Sequence, residues 1–439
     1  MKYCLYVLVA FIVSMGIFPF IPSWLPIANT KMVMAGIGLF VLGIQRSRLQ
    51  DANVRSDFYM ASIWAVVVSI AGIVSIMYNE TKDYSYASYI VSMWVWCGSS
   101  YLILTIIKAV HGKLSLFIVA NYLIVVCVAQ CILALTMDSY PGVKSFIDSI
   151  LIDDSFMGKM EGRLYGLGCS VDVAGSRFAA ILVLVASICS DMKEVKNRML
   201  LPLYLLAFLI IAIIGNMISR TTILGVGLAV VYWIYKSGMW RMTLEKDEKQ
   251  LWKYLVLFLS ITIPLVTHFY YSNPAFQQNL RFGFEGFFSI AEKGYWETNS
   301  NNQLLNMIRF PSELKTLIIG DGYFDNPLST DPYYTGPGAG TFYMYTDIGY
   351  LRFIYYFGMI GLIALTCFFV NVTTVCIKKF KTHKNFFILL LILNMIIWFK
   401  VSSDLFPVFA IFLCITASDM EEAERLESEQ DADIPKIAV

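Results

Sequence analysis

Six arginines of this apolar chain lie apart from its clusters of basic residues and from its acidic C-terminal segment, and three of the six adjoin hydrophobic runs. Arg177 stands in the first turn of "VAGSRFAAILVLVAS", Arg220 precedes "TTILGVGLAVVYWIY", and Arg352 falls in "YTDIGYLRFIYYFG". A cation buried there costs several kcal/mol unless it meets an anion. Guanidinium forks match phosphate oxygens, and a helix N-terminus adds unpaired N–H groups, so the pattern predicts a phosphate or diphosphate site. The six are Arg163, Arg177, Arg220, Arg281, Arg309 and Arg352.

Acids and hydroxyls accompany these cations. Asp347 borders one apolar run and Asp172 borders another, and each has three interpretations: general base, salt-bridge partner or helix cap. Beside Arg220, the hydroxyls of Ser219, Thr221 and Thr222 can cap the helix or donate to the same anion. We expect Asp347 to lie near the arginines and to be the candidate acid or base.

Each candidate also has a simpler interpretation. An arginine at the end of a span commonly extends towards lipid headgroups, above all Arg281 and Arg352 taken singly. His268, in "PLVTHFYY", is either catalytic or an interface residue. Aromatic residues at span ends are typical of an interfacial belt, whereas tyrosines in the long loop before Asp347 can stack on sugars. Those tyrosines are Tyr323, Tyr333, Tyr334, Tyr343 and Tyr345.

Composition sets the class of protein. Of 439 residues, 58% are hydrophobic and 15% are charged, which indicates an integral membrane protein. The net charge of +1 favours neither nucleic acid nor an acidic partner. The nine cysteines have neither a disulfide framework nor zinc spacing, and the chain has no phosphate-binding P-loop or dinucleotide fingerprint. We therefore expect no metal and no cofactor.

Apolar runs of roughly 17 to 25 residues predict an all-α, polytopic membrane protein of about twelve transmembrane helices. A large loop separates spans 9 and 10. The predicted spans cover 3–21, 27–45, 58–77, 86–108, 114–136, 173–190, 199–215, 221–236, 251–270, 349–376, 386–402 and 404–418.

The distribution of lysine and arginine orients these spans, because short basic loops stay in the cytoplasm. Basic residues fall in alternate loops, which puts both termini in the cytoplasm. The organisation is then a single transmembrane domain over 1–418 and an acidic cytoplasmic tail over 419–439. Loops 137–172 and 271–348 lie on the opposite face. We expect one or two short helices along the outer membrane surface early in the second loop, and irregular, mobile chain in its later, Pro- and Gly-rich part.

The order of these features resembles the bacterial O-antigen polymerase (Wzy-type) family, and more distantly the O-antigen ligases of the same superfamily. Three segments carry the resemblance, which covers about 163–365 in detail. They are "GRLYGLGCSVDVAGSRFAAIL", "GNMISRTTILGVGLAVVYWI", and the loop from "RFPSELKTLIIGDGYF" to "YTDIGYLRFIYYFGMIG". The family's R-x10-G spacing fits Arg309 to Gly320, whereas from Arg163 the glycine, Gly175, comes one place late.

The resemblance implies a polymerase that works on the periplasmic face of the bacterial inner membrane. Its substrate would be a glycan on undecaprenyl diphosphate, transferred to a sugar hydroxyl of an incoming lipid-linked repeat unit. It implies that Arg177, Arg220 and Arg309 bind the diphosphate with help from Arg163, and that Asp347 activates or orients the acceptor. We take Arg177 and Arg220 as catalytic with Asp347, and Arg281 and Arg352 as further diphosphate-binding candidates.

Other classes remain open. A ligase-like glycan transferase is one, although ligases place a histidine where this chain has "YTDIGYL". A polysaccharide transporter or flippase is another, because ionisable residues in membrane helices are typical of transport. A scaffold, or contact with a chain-length regulator protein, is also compatible with the hydropathy. Membrane lipid is a partner in every case.

Overall fold

The structure, a computed structural model, describes residues 2–48, 53–151, 163–190, 200–239, 246–327, 342–416, and 419, 422 and 425. These residues contain helices, turns and isolated β-bridges, but no strand. The helices are α1 (Lys2–Ile17), α2 (Thr30–Arg48), α3 (Asn53–Asn79), α4 (Tyr89–His111), α5 (Leu116–Ser139), α6 (Pro141–Ile150), α7 (Val171–Ser190), α8 (Leu201–Ile210), α9 (Asn216–Ile218), α10 (Thr222–Lys236), α11 (Lys246–Ser272), α12 (Pro274–Gly283), α13 (Glu285–Lys293), α14 (Asn299–Asn306), α15 (Leu314–Ile318), α16 (Gly349–Lys379), α17 (Lys384–Ile397) and α18 (Phe406–Leu413). A π-helical turn, Ile211–Gly215, joins α8 to α9.

Each of the twelve predicted spans falls on a helix. Within the described chain, seven helical segments are long and apolar enough to cross a membrane. The architecture is that of a polytopic helical membrane protein. The seven are Tyr59–Asn79, Tyr89–His111, Leu116–Ser139, Val171–Ser190, Leu201–Ile218, Lys249–Ser272 and Gly349–Lys379; Lys2–Ile17, Thr30–Gln45 and Thr222–Lys236 are shorter apolar helices. In the last two predicted spans the helices are shorter than predicted: α17 has 14 residues and α18 has 8, fewer than the roughly 20 that cross a bilayer.

Small residues let the central helices pack closely. Helix α7 is nearly wholly buried, whereas α11 has few buried residues and is otherwise half-buried or exposed. A Cβ atom on Gly225 of α10 would overlap the backbone of Ala179 in α7, and one on Gly38 of α2 would overlap the carbonyl of Gly98 in α4. Such contacts bring helix backbones together where apolar burial alone does not drive association.

A kink in α16 receives the short helix α15. The kink lies at Phe357 and Gly358, and Gly358 adopts a φ of +67°. Gly320, which ends the segment after α15, adopts a φ of +87° and would place a Cβ 2.5 Å from the carbonyl carbon of Tyr356. Ser75 and Asn79 of α3 tie the two together, because their side chains donate to the carbonyl oxygens of Tyr356 and Gly320.

The two long loops contain short helices where they are described. Four short helices, α12 to α15, fall in the part of loop 271–348 where one or two were predicted, and α6 falls in loop 137–172. The segment expected to be irregular and mobile lies mainly at 328–341, outside the described residues, as does most of the acidic tail. Asp419 and Glu422, which are described, bind Lys108 at 2.7 and 2.9 Å, so the chain after α18 lies at the C-terminal end of α4.

Candidate functional site

The N-terminal ends of α7 and α10 are joined by side-chain hydrogen bonds. Asp172 lies in the first turn of α7, and the turn Ser219–Thr221 leads directly into α10. The Thr221 hydroxyl donates to Asp172 Oδ1 at 2.6 Å, and the Ser219 hydroxyl does so at 3.4 Å. Asp172 therefore fixes the turn that carries Arg220.

Lys400, which sequence reasoning missed, completes this cluster from the turn between α17 and α18. Its Nζ donates to Thr221 Oγ1 at 2.9 Å and lies 3.5 Å from Asp172 Oδ1. Hydropathy places Lys400 inside the predicted span 386–402, where it is one residue of an apolar run. The signal that could have identified it is the rarity of a lysine in such a run, "NMIIWFKVSSDLF".

Arg220 and Arg163 lie against the same aromatic ring. Their guanidinium carbons are 4.5 and 4.9 Å from the centre of the Phe282 ring, at the end of α12. Helix α12 is held there because the Asn216 side chain donates to the Gly283 carbonyl oxygen at 2.7 Å. Arg220 also forms an ion pair with Glu285, and both side chains are partly exposed. Two of the predicted diphosphate ligands are thus brought together.

Arg352 is compensated by protein groups. Its side chain is only 6% exposed and contacts Asp325 at 2.5 Å and Asp347 at 3.7 Å. It also donates to the Ser402 hydroxyl at 2.7 Å. A cation held by two carboxylates has less attraction left for a phosphate, so Arg352 is better placed to position Asp347 than to bind the substrate.

Asp347 is a carboxylate whose protonation changes near neutral pH. It lies in the loop immediately before α16, and burial raises its pKa to about 6, although the Arg352 cation opposes the shift. Asp172 and Lys400 act on it electrostatically as well, which links it to the cluster at α7 and α10. At neutral pH this carboxyl is largely ionised and can accept a proton.

Arg177 lies deeper, in a second group of charges. It is buried in α7, with its guanidinium carbon 5.5 Å from the Phe18 ring and 5.6 Å from the Trp96 ring. Lys31 Nζ lies 4.1 Å from the same Trp96 ring, and Asp404 interacts electrostatically with both cations. Within the described residues, Arg177 Nη1 has no hydrogen-bond partner. The group therefore carries more positive than negative charge.

The turn between α17 and α18 links these neighbourhoods. Lys400 reaches the cluster beside Arg220, Ser402 accepts from Arg352, and Asp404 acts on Arg177. The side chains of these three turn residues are neither fully buried nor fully exposed. One short turn thus contacts the surroundings of three predicted arginines from different helices.

The remaining two arginines contact other groups. Arg309 lies with its guanidinium carbon 5.2 Å from the Tyr345 ring, two residues before Asp347. Arg281 pairs with Glu292 at 2.6 Å and donates to the Tyr270 hydroxyl at 3.0 Å, and these two hydrogen bonds raise its pKa. Arg281 is thus a compensated surface residue. The Arg309 carbonyl oxygen also accepts from the Tyr355 hydroxyl at 3.1 Å, and the described contacts do not bring its side chain to Arg163, Arg177 or Arg220.

The described residues contain no group of three or more His, Cys, Asp or Glu side chains placed to hold a metal ion. What the arrangement offers is cations for an anionic ligand, a carboxylate that titrates near pH 6, and hydroxyls at two helix ends. The fold and the site together are those of a helical membrane protein with a charged site where several helices begin. Comparisons with known protein families, with curated sequences and with solved structures gave no match.

Proposed function

We propose that the chain is a polymerase of lipid-linked polysaccharide repeat units, a glycosyltransferase that uses a polyprenyl diphosphate leaving group. Its twelve spans would lie in a bacterial inner membrane with both termini cytoplasmic and loops 137–172 and 271–348 in the periplasm. The pairing of Lys108 with Asp419 and Glu422 supports placing the tail beside a cytoplasmic loop. The lysines and arginines of alternate loops support the same orientation.

The observation that carries the proposal is the cluster of Asp172, Thr221 and Lys400, which holds Arg220 at the joined ends of α7 and α10. A diphosphate at this place would meet Arg220 and Lys400, with Arg163 across the Phe282 ring. The diphosphate oxygens would replace Glu285 as the partner of Arg220. Cations there stabilise the transition state more than the ground state, because negative charge grows on the departing diphosphate.

Asp347 is the proposed base. A hydroxyl oxygen of the incoming repeat unit bonds to the anomeric carbon of the growing glycan as the bond from that carbon to the diphosphate oxygen breaks. The hydroxyl proton passes to the Asp347 carboxylate, which burial and Arg352 bring to a pKa of about 6. Arg177 and Arg309 would hold further phosphate or glycan groups, and Arg281 and Arg352 would act through other residues.

A second candidate is transport of a polysaccharide or its lipid carrier. It is favoured by the group of Arg177, Lys31 and Asp404, in which Arg177 is buried in α7, because charges within membrane helices are typical of transport pathways. A ligase-like transfer of finished glycan would use the same leaving group.

Purified protein in liposomes separates these functions. Given a lipid-linked repeat unit labelled in its sugar, a polymerase lengthens the glycan and releases polyprenyl diphosphate with no second membrane protein present. A transporter moves the label across the bilayer without lengthening it. Movement without elongation would overturn the polymerase assignment, and transfer only to an added glycolipid acceptor would favour the ligase.

A further inference from the structure

A polar cleft lies between α15 and α16. It has a volume of about 380 Å³ and lies where the end of α3, the chain before and after α15, and the start of α16 meet. This volume falls within the roughly 300 to 1,000 Å³ that is usual for small-molecule sites. The cleft has room for one or two sugar rings.

Tyrosines form one wall of the cleft. Tyr343 lies between two other lining residues, with its ring centre 5.4 Å from that of Tyr323 and 5.8 Å from that of Tyr355. Tyrosine combines an apolar ring with a polar hydroxyl. Tyr343 and Tyr355 are buried, so the ring that can pack against the C–H face of a pyranose is that of the partly exposed Tyr323.

Hydrogen-bonding groups in fixed orientations form the other wall. Asp321 accepts from Lys315 at 2.8 Å, from the Thr316 hydroxyl at 2.6 Å and from the Tyr343 hydroxyl at 3.2 Å. Lys315 Nζ also donates to Asn79 Oδ1 at 2.7 Å. Because these side chains hold one another in place, the cleft presents donors and acceptors whose positions are set before a ligand arrives.

Charge selects the class of ligand. The ionisable acids and base that line the cleft, Glu313, Asp321 and Lys315, sum to one negative charge. This is the opposite sign to the arginine-rich surroundings of Arg220. A phosphate or a uronic acid would be repelled, whereas a neutral sugar would not.

We propose that this cleft binds a neutral sugar ring of the lipid-linked glycan, an inference that rests on the proposed function. The cleft is connected to the charged site by a few residues: Tyr343 lines it, Arg309 lies against Tyr345, and Asp347 follows. Met344 and Tyr345 have φ angles of 53° and 57°, a conformation that costs energy in residues other than glycine and is concentrated at functional sites. Tyr343, which lines the cleft, precedes the proposed base, Asp347, by four residues in the chain.

Saturation-transfer NMR on the full-length protein in detergent tests the cleft directly. The probes are methyl β-glucoside, methyl β-galactoside and glucuronic acid, none of which carries a phosphate or a lipid. We expect signals from at least one neutral glycoside and none from the uronic acid. Tyr323→Ala should weaken neutral binding by about fivefold, whereas Tyr323→Phe should retain most of it. The matched control is Tyr295→Ala, which changes an exposed tyrosine outside the cleft.

A separate variant tests whether the negative charge of the cleft excludes acidic sugars. Glu313→Gln removes an exposed charge at the cleft and should allow glucuronic acid to bind. Binding of the uronic acid by the unmodified protein, or equal loss in Tyr323→Ala and Tyr295→Ala, would overturn the sugar site. If purified protein elongates glycans but gives no sugar signal, the sugar site is wrong and the polymerase stands. If sugar binds through Tyr323 but no elongation occurs, the polymerase is wrong.

Discussion

Lys400 and Asp172 are 228 residues apart in the chain, yet the Lys400 ammonium lies 3.5 Å from the Asp172 carboxylate and donates to Thr221 between them. This contact fastens the turn between α17 and α18 to the joined ends of α7 and α10. Arg220 lies in the turn that this contact holds, and Asp347 interacts electrostatically with both residues, whereas Arg177 and Arg309 contact other groups. The pair is therefore the structural centre of the site.

The first prediction concerns Lys400. Lys400→Met removes a cation from the place where the diphosphate would bind, and we expect the elongation rate per folded molecule to fall by about 100-fold. Lys400→Arg keeps the charge and should retain a measurable fraction of the rate. Elongation is measured in liposomes and corrected for folded protein. A Lys400→Met protein that loses thermal stability but elongates normally would show that Lys400 only supports the fold.

The second prediction is the pH dependence due to Asp347. Because burial raises its pKa to about 6, protonation removes the proposed base as the pH falls through that value. We expect the elongation rate to decline tenfold per unit below about pH 6 and to level off above it. Asp347→Asn should be slow at every pH. A flat profile for the unmodified protein between about pH 5 and 7 would contradict the role.

The same residue predicts an opposite effect on stability. The pKa of Asp347 is raised from 3.8 to about 6 in the folded state, so stability is lost as the pH rises from about 4 to about 6, and the cost stays constant above that. Asp347→Asn removes that cost while Arg352 keeps Asp325. We expect the variant to melt at a higher temperature than the unmodified protein at about pH 8, and the difference to shrink at about pH 5. An equal difference in melting temperature at both pH values would mean that burial does not raise the pKa of Asp347.

A third prediction compares two glycines of one helix. Gly225→Ala places a methyl group against the Ala179 backbone and must separate α10 from α7, at a cost of roughly 1 to 3 kcal/mol. Gly227→Ala, two residues along, meets nothing within 4 Å. We expect the first to reduce both membrane abundance and elongation, and the second to behave as unmodified protein. Equal behaviour of the two would deny that α7 and α10 pack as described.

A fourth prediction separates two effects at Gly320. Gly320 and Gly294 have similar φ angles, 87° and 81°, but only Gly320 meets another backbone, that of Tyr356. Alanine at either place carries a conformational cost of about 1 kcal/mol. Gly320→Ala should lose considerably more thermal stability, since it also pushes α15 away from the kink in α16. Equal losses would mean that the R-x10-G spacing reflects only backbone conformation.

Hydropathy predicted the helices well, because each span must satisfy its own backbone within lipid. It located α7, α10 and α16, and it placed Arg177, Arg220 and Arg352 near their starts. The short helices of the long loop were also foreseeable from helical spacing. These properties are local, so a single sequence contains them.

Partners across the chain could not be predicted in the same way. The sequence predicts Asp347 near the arginines, but not that Asp325 also pairs with Arg352, which depends on how the loop folds back on α16. Arg177 and Arg220 both lie near helix starts, yet one is buried against Trp96 and the other is partly exposed at Phe282. A sequence shows how far a residue lies from the end of its helix, but it does not show which residues of other helices its side chain contacts.

Glu285 provides the control for the central claim. It forms an ion pair with Arg220, so Arg220→Ala removes both a cation and a structural contact. Glu285→Gln breaks the ion pair and leaves the cation. Arg281→Ala removes an arginine of the same loop that already forms an ion pair with Glu292 and a hydrogen bond with the Tyr270 hydroxyl. Together these variants separate loss of charge at the site from loss of a contact.

The most direct measurement is kcat/KM for elongation of a lipid-linked repeat unit by each of these proteins in liposomes. We expect kcat/KM to fall by about 100-fold or more for Arg220→Ala and to stay within about threefold of the unmodified protein for Glu285→Gln and Arg281→Ala. Near-normal elongation by Arg220→Ala, or an equal fall in Glu285→Gln, would contradict the claim that Arg220 binds the departing diphosphate.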